Sequence, residues 1–104
     1  MKMSADPVTL IVRSEPSDPT MLDRYHAWYA DHLRQLLAVP GVEVAQRYES
    51  IDGDMRYMAR YELESTDVFD TEAYRAIGRF GPMERHVRFT RNVYRTMPPT
   101  RNGQ

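Results

Sequence analysis

Between Val42 and Leu63 the chain reads VEVAQRYESIDGDMRYMARYEL: two runs rich in valine, tyrosine and methionine, separated by Ile51-Asp52-Gly53-Asp54. Asp-Gly at the centre of a short polar interruption is a strong hairpin signal, because the backbone of a tight reversal suits these residues. In the second run Met55, Tyr57, Ala59, Tyr61 and Leu63 share one face, while Arg56, Arg60 and Glu62 take the other, interrupted by Met58. That alternation predicts a half-buried antiparallel strand over Met55 to Leu63, paired with a strand over Val42 to Ser50.

Working outward, Val8 to Arg13 (VTLIVR) is short, β-branched and bounded by Pro7 and Pro16-Ser17-Asp18, which predicts a buried strand. Asp18 offers an N-cap with Pro19 at the first helical position, and an apolar pattern runs on to Val39 before Pro40-Gly41 stops it. Ser65, Thr66 and Asp67 cap a second helical region carrying Val68, Phe69, Ala73, Tyr74 and Ile77, broken at Gly78 and Gly81-Pro82 where a loop could border a pocket. A helical turn from Met83 to His86 and a strand from Val87 to Met97 complete one domain over residues 1–104, with loose ends at Met1 to Asp6 and Pro98 to Gln104. The resulting order, βαββαβ, is the ferredoxin-like α+β arrangement: a four-stranded antiparallel sheet with two helices on one face. The other sheet face would be a large apolar patch, so a second copy of the chain is expected to cover it as a homodimer.

Composition narrows the chemistry. The net charge of -1 gives no global pull toward nucleic acid or anionic membrane, and there is no cysteine for a disulfide, a thiolate metal site or a thiol nucleophile. The N-terminal apolar run is too short for a signal peptide, and no segment approaches a membrane span; a soluble, cytoplasmic protein is expected. Lys2 is the only lysine, whereas Arg75, Arg79, Arg85, Arg88, Arg91, Arg95 and Arg101 crowd the last third, where Glu84 is the sole acid after Ala73. Such a region can hold an anionic substrate or be a solvated face. The five glycines form no phosphate-binding loop, so a nucleotide cofactor has no visible cradle, and no nucleophile elbow is present.

On the first helix Met21, Tyr25, Trp28, Tyr29, Leu33 and Leu36 fall within one apolar arc that also contains His32, while Asp23, Arg24, Asp31 and Arg34 fall outside it. His32 is then either a satisfied core histidine or a pocket acid/base whose burial sets its pKa. His26 lies at the edge of the arc. Six residues from His32, it has the wrong spacing for a two-histidine clamp, and no metal site is expected. Most of the seven tyrosines read as core or interface, but one or two, with Tyr25, Tyr29, Tyr48 and Tyr61 as the candidates, would line a cavity with Trp28 and His32 around a flat aromatic substrate. Arg47 and Arg60, on adjacent hairpin strands, either face the same way and neutralise an enolate or carboxylate or, as two exposed arginines, stand on the sheet rim, and His86 either approaches in space or is a solvated residue next to the second helix.

A helix carrying an aromatic, a histidine and then LLAVPGV, followed by QRYES, RYMARYELES and FTRNVYRTM, resembles the EthD-like branch of the dimeric α+β barrel superfamily over nearly the whole chain. The resemblance implies a dimer whose sheets face each other as a barrel, with a small-molecule pocket in each subunit between sheet and helices. It also implies a cofactor-independent enzyme of the lyase, cyclase or monooxygenase type: a polyketide cyclase, an anthrone-type decarboxylase or oxygenase, a dehydratase, or a protein accompanying xenobiotic breakdown. The family's helix histidine maps onto His32 as general acid/base. Relatives often carry a proline or small residue after that histidine, whereas Leu33 and Arg34 follow it here. A competing reading is a non-catalytic dimer that binds a hydrophobic molecule or serves as an accessory subunit. An RNA-recognition module shares the strand order, but its diagnostic basic-Gly-aromatic segment is missing from MRYMARYEL.

Overall fold

The structure, a computed structural model, describes residues 6–100. Its regular elements are β1 (Val8–Pro16), α1 (Leu22–Leu37), β2 (Val42–Glu49), β3 (Tyr57–Leu63), α2 (Glu72–Ile77) and β4 (Val87–Arg95). All pairings are antiparallel and the strand order is β2-β3-β1-β4, the ferredoxin-like topology. Among the described residues no helix is long and apolar enough to cross a membrane.

The expected helix from Asp18 onward divides in two. Asp18 accepts a hydrogen bond from the Thr20 amide, and Pro19–Met21 forms a tighter 3-10 turn before α1 begins at Leu22. Its far end is set by Pro40, which disfavours helical backbone at Val39, and by Gly41 at φ 96°. A Cβ on Gly41 would lie 2.6 Å from Val68 Cγ2, so this turn needs glycine for both conformation and space.

The hairpin is also longer than expected: residues 50–56 form the loop and β3 starts at Tyr57. The Ser50 amide donates to the Arg56 carbonyl across the loop at 2.7 Å, and the Asp52 amide to Ser50 Oγ. The Arg56 amide is captured instead by Glu15 of β1, which keeps it out of the ladder. β4 stops at Arg95 because its register partner there is Val8, preceded by Pro7 with no N–H to offer.

Val8, Leu10, Tyr57, Ala59, Tyr61, Leu63 and Val87 form the helix-facing side of the sheet and pack against Tyr25, Tyr29 and Leu36 of α1. Each large apolar side chain so buried stabilises the fold by about 1.5–3 kcal/mol. The opposite face has no helix over it. There a polar chain crosses three strands: Thr9 donates to Glu62, Arg60 to Glu62, and Arg60 Nε to the Tyr48 hydroxyl. Met58, Val44 and Tyr94 surround it.

Candidate functional site

Helix α1 sets Trp28, Tyr29, His32 and Leu36 above Leu10 and Val12 of β1 and Tyr61 of β3. The fourth side is built after α2. Thr71 caps this short helix through its side chain, and Gly78 (φ 74°) ends it, turning the chain so that Phe80 enters the core at 3% exposure. Phe80 stacks on Trp28 at 4.9 Å and meets Phe89 of β4 at 4.9 Å. These walls, with Tyr74, Arg79 and Arg91, enclose a cavity of about 30 Å³. That is room for a water molecule rather than a drug-sized ligand.

His32 lies flat against Trp28, centroids 4.3 Å apart and planes at 19°, with the rings of Tyr29 and Tyr61 edge-on at 6.0 and 6.4 Å. Neither ring nitrogen has a hydrogen-bond partner among the described residues, yet neither is completely enclosed by protein. Burial alone lowers its pKa to about 4, because the apolar walls disfavour the imidazolium. At neutral pH the ring therefore carries one N–H and one free lone pair.

Tyr29 and Tyr61 line the cavity beside His32, and burial raises both phenol pKa values well above the usual range. Tyr25 lies behind the cavity wall. Its hydroxyl meets Ser14 Oγ at 2.6 Å, and the same serine reaches the Tyr29 hydroxyl at 3.3 Å, which fixes both rings from below. Behind them sits Arg47, its guanidinium 4.4 Å from the Tyr29 centroid and 5.3 Å from that of Tyr57. Arg47 Nη1 lies 3.1 Å from His26 Nδ1; arginine only donates, so that nitrogen is the acceptor and the His26 proton sits on Nε2. Burial, then the Arg47 charge, lower the His26 pKa. Among the described residues Arg47 Nε and Nη2 are buried without a hydrogen-bond partner.

Four of the expected residues come together at the cavity: Trp28, Tyr29, His32 and Tyr61. The expectation that Arg47 and Arg60 face the same way is corrected. Register pairs Arg47 with Ala59 and Gln46 with Arg60, so Arg47 turns to the helices and Arg60 to the open face, where it meets Tyr48. Tyr48 is therefore remote from His32 as well. His86 ends the 3-10 segment Gly81–His86 outside the cavity, its carbonyl accepting from the Ser17 amide at 2.8 Å. Leu33 and Arg34 do not line the cavity, and Arg34 pairs with Asp31 on the outer side of the helix. Sequence reasoning missed Tyr74, Arg79, Phe80, Phe89 and Arg91. The Gly78 to Gly81 break pointed at the segment carrying two of them, while Arg91 was one of many arginines in that region. Among the described residues, no cluster of three or more His, Cys, Asp or Glu side chains is placed to hold a metal ion.

No family model and no curated protein matches the chain by sequence. Solved structures match by fold. A proposed monooxygenase from Shewanella loihica PV-4 superposes with a TM-score of 0.71 at 19% identity, covering 93% of this chain and 100% of its own. Rv0793 from Mycobacterium tuberculosis gives 0.69 at 18% identity, over 95% and 100% of the two chains. SnoaB, a cofactor-independent oxygenase from Streptomyces nogalater, gives 0.68 at 13% identity, over 96% and 100%. At these identities the likeness is one of fold: the chain shares the ferredoxin-like α+β architecture of these proteins. These neighbours are not specific to the EthD-like branch.

Proposed function

We propose that this protein is a cofactor-independent enzyme of the monooxygenase type acting on an aromatic or polyketide-like substrate, with His32 as the general acid/base. The observation that carries the reading is His32 itself: a neutral imidazole with no hydrogen-bond partner among the described residues, bordering a cavity walled by Trp28, Tyr29 and Tyr61. With no protein partner among the described residues, its nitrogens are left to whatever occupies the cavity. Support of a second kind comes from the fold, which SnoaB shares.

In this reading a planar substrate takes the place of Phe80 against Trp28, because the cavity beside it is too small for an aromatic ring system. The lone pair of His32 removes a proton from an acidic C–H or O–H. Burial disfavours an isolated imidazolium, so the proton moves only where an anion forms beside it and the two charges pair. Dioxygen is the oxidant: a methylene carbon and one O₂ give a carbonyl and one water, the second oxygen atom leaving in the water. A lyase or cyclase would share the proton transfer but consume no oxygen.

The second copy expected from the sequence belongs to the same proposal. The open face exposes Val44, Tyr48 and Tyr94 (37, 42 and 47%), apolar area that a homodimeric barrel would cover. Oxygen-electrode traces with a panel of anthrones and polyphenols, coupled to product mass analysis, test the reaction class. The expected result is one O₂ consumed per carbonyl formed. Turnover without oxygen uptake would place the enzyme among lyases or cyclases, and ligand binding with no turnover would leave a binding protein.

A further inference from the structure

The mouth of the His32 cavity is cationic. Arg79 and Arg91 are the only arginines among its lining residues, and no carboxylate lines it. Arg91 pairs with Val12 in the β1–β4 register, and Val12 also lines the cavity, so the arginine stands on the helix-facing side of the edge strand. Its guanidinium lies 5.0 Å from the Phe69 ring centroid and has no salt bridge among the described residues. Arg79 reaches Glu84 at 3.4 Å, but both side chains are exposed, an arrangement that water and salt screen and that an incoming anion displaces at little cost. Arg79 also lies over Phe89, 5.5 Å from its centroid, and immediately precedes Phe80. Both arginines are exposed, and their side chains border the apolar chamber at its solvent side.

We propose that the ligand of this cavity is bound as an aromatic anion, a carboxylate or ionised phenol, with its ring against Trp28 and its oxygens on Arg91 and Arg79. This rests on the reading of the cavity as a ligand site. A guanidinium matches a carboxylate with two parallel N–H···O bonds, a geometry that selects planar oxyanions. The same charges stabilise the anion left when His32 takes a proton, so one device serves selection and chemistry. It also assigns a role to two arginines of the basic C-terminal third.

Trp28 is the sole tryptophan and a cavity wall, so its fluorescence reports occupancy directly. The test titrates 2-naphthoate and its neutral isostere 2-naphthamide at pH 7 and low salt, against the wild type and a Phe80→Ala variant whose cavity is opened. The expected result is that naphthoate binds roughly tenfold more tightly, that salt narrows the gap, and that Arg79→Met/Arg91→Met abolishes it while Arg91→Lys keeps part. Equal affinity for the two compounds in both backgrounds, with quenching by each, overturns the anion preference and leaves the ligand site standing. A full preference persisting in the double variant overturns the assignment to these arginines. Failure of both compounds to quench Trp28 even in Phe80→Ala overturns the ligand-site reading and this inference with it.

Discussion

His32 carries a measurable thermodynamic signature because it is buried among apolar rings. Its pKa is about 4 in the folded chain against an ordinary 6.5, so between those values the unfolded chain holds more protons. Its share of stability is fully present above pH 6.5 and falls as the pH drops toward 4, a loss of about 3 kcal/mol in all. His32→Gln is predicted to remove that part of the slope, read as the wild-type minus variant difference in urea midpoints at pH 7 and pH 4.5. A residual slope of the same sign from His26, whose pKa is also lowered, stays in both proteins. Arg47 makes the converse case, a charge buried against aromatic rings with two nitrogens unpartnered. Replacing a buried charge by an apolar chain of similar length is often neutral or stabilising, by about 1–4 kcal/mol. Arg47→Met should therefore hold or raise the melting temperature, and the His26 pKa, followed by NMR, should rise as the neighbouring positive charge is lost.

Among the elements, the turn at Gly41 and the segment from Gly78 to Gly81 behave differently. Gly41→Ala meets both a positive φ and the Val68 side chain, and a loss of about 1–3 kcal/mol is expected by denaturant titration. A Cβ at Gly78 or Gly81 meets nothing within 4 Å, so those glycines serve backbone conformation alone. Phe80→Ala should cost about 3 kcal/mol of stability while improving binding of neutral aromatic probes, a split that separates a plug from a plain core residue. The apolar arc of α1, the strand alternation and the glycine break were all legible as patterns of residue type. What the sequence hid was a register. A tight loop over Ile51-Asp52-Gly53-Asp54 would set Ser50 opposite Met55 and Arg47 opposite Met58, on the same face as Arg60. The longer loop shifts the pairing by one residue to Arg47 with Ala59, and a single step sends the side chain to the other face. Arg79, Phe80 and Arg91 were hidden for a related reason: only the tertiary path after α2 brings them to His32.

For the molecule as a whole, one covered and one uncovered sheet face argue for assembly. The uncovered face mixes Val44, Tyr48 and Tyr94 with the Thr9–Glu62–Arg60–Tyr48 chain, a surface that offers a second copy both apolar area and registered polar groups. Light scattering is predicted to return twice the mass of 12.2 kDa, and Tyr48→Asp with Tyr94→Asp to shift it toward the monomer. The helix-covered face holds the candidate chemistry, so assembly and catalysis are assigned to opposite sides of a single sheet. Turnover of a substrate identified by oxygen uptake, compared between the wild type and a folded, dimeric His32→Ala, bears most directly on that assignment. The account predicts a fall in kcat of about 100-fold or more with little change in KM; unchanged turnover in His32→Ala would contradict it.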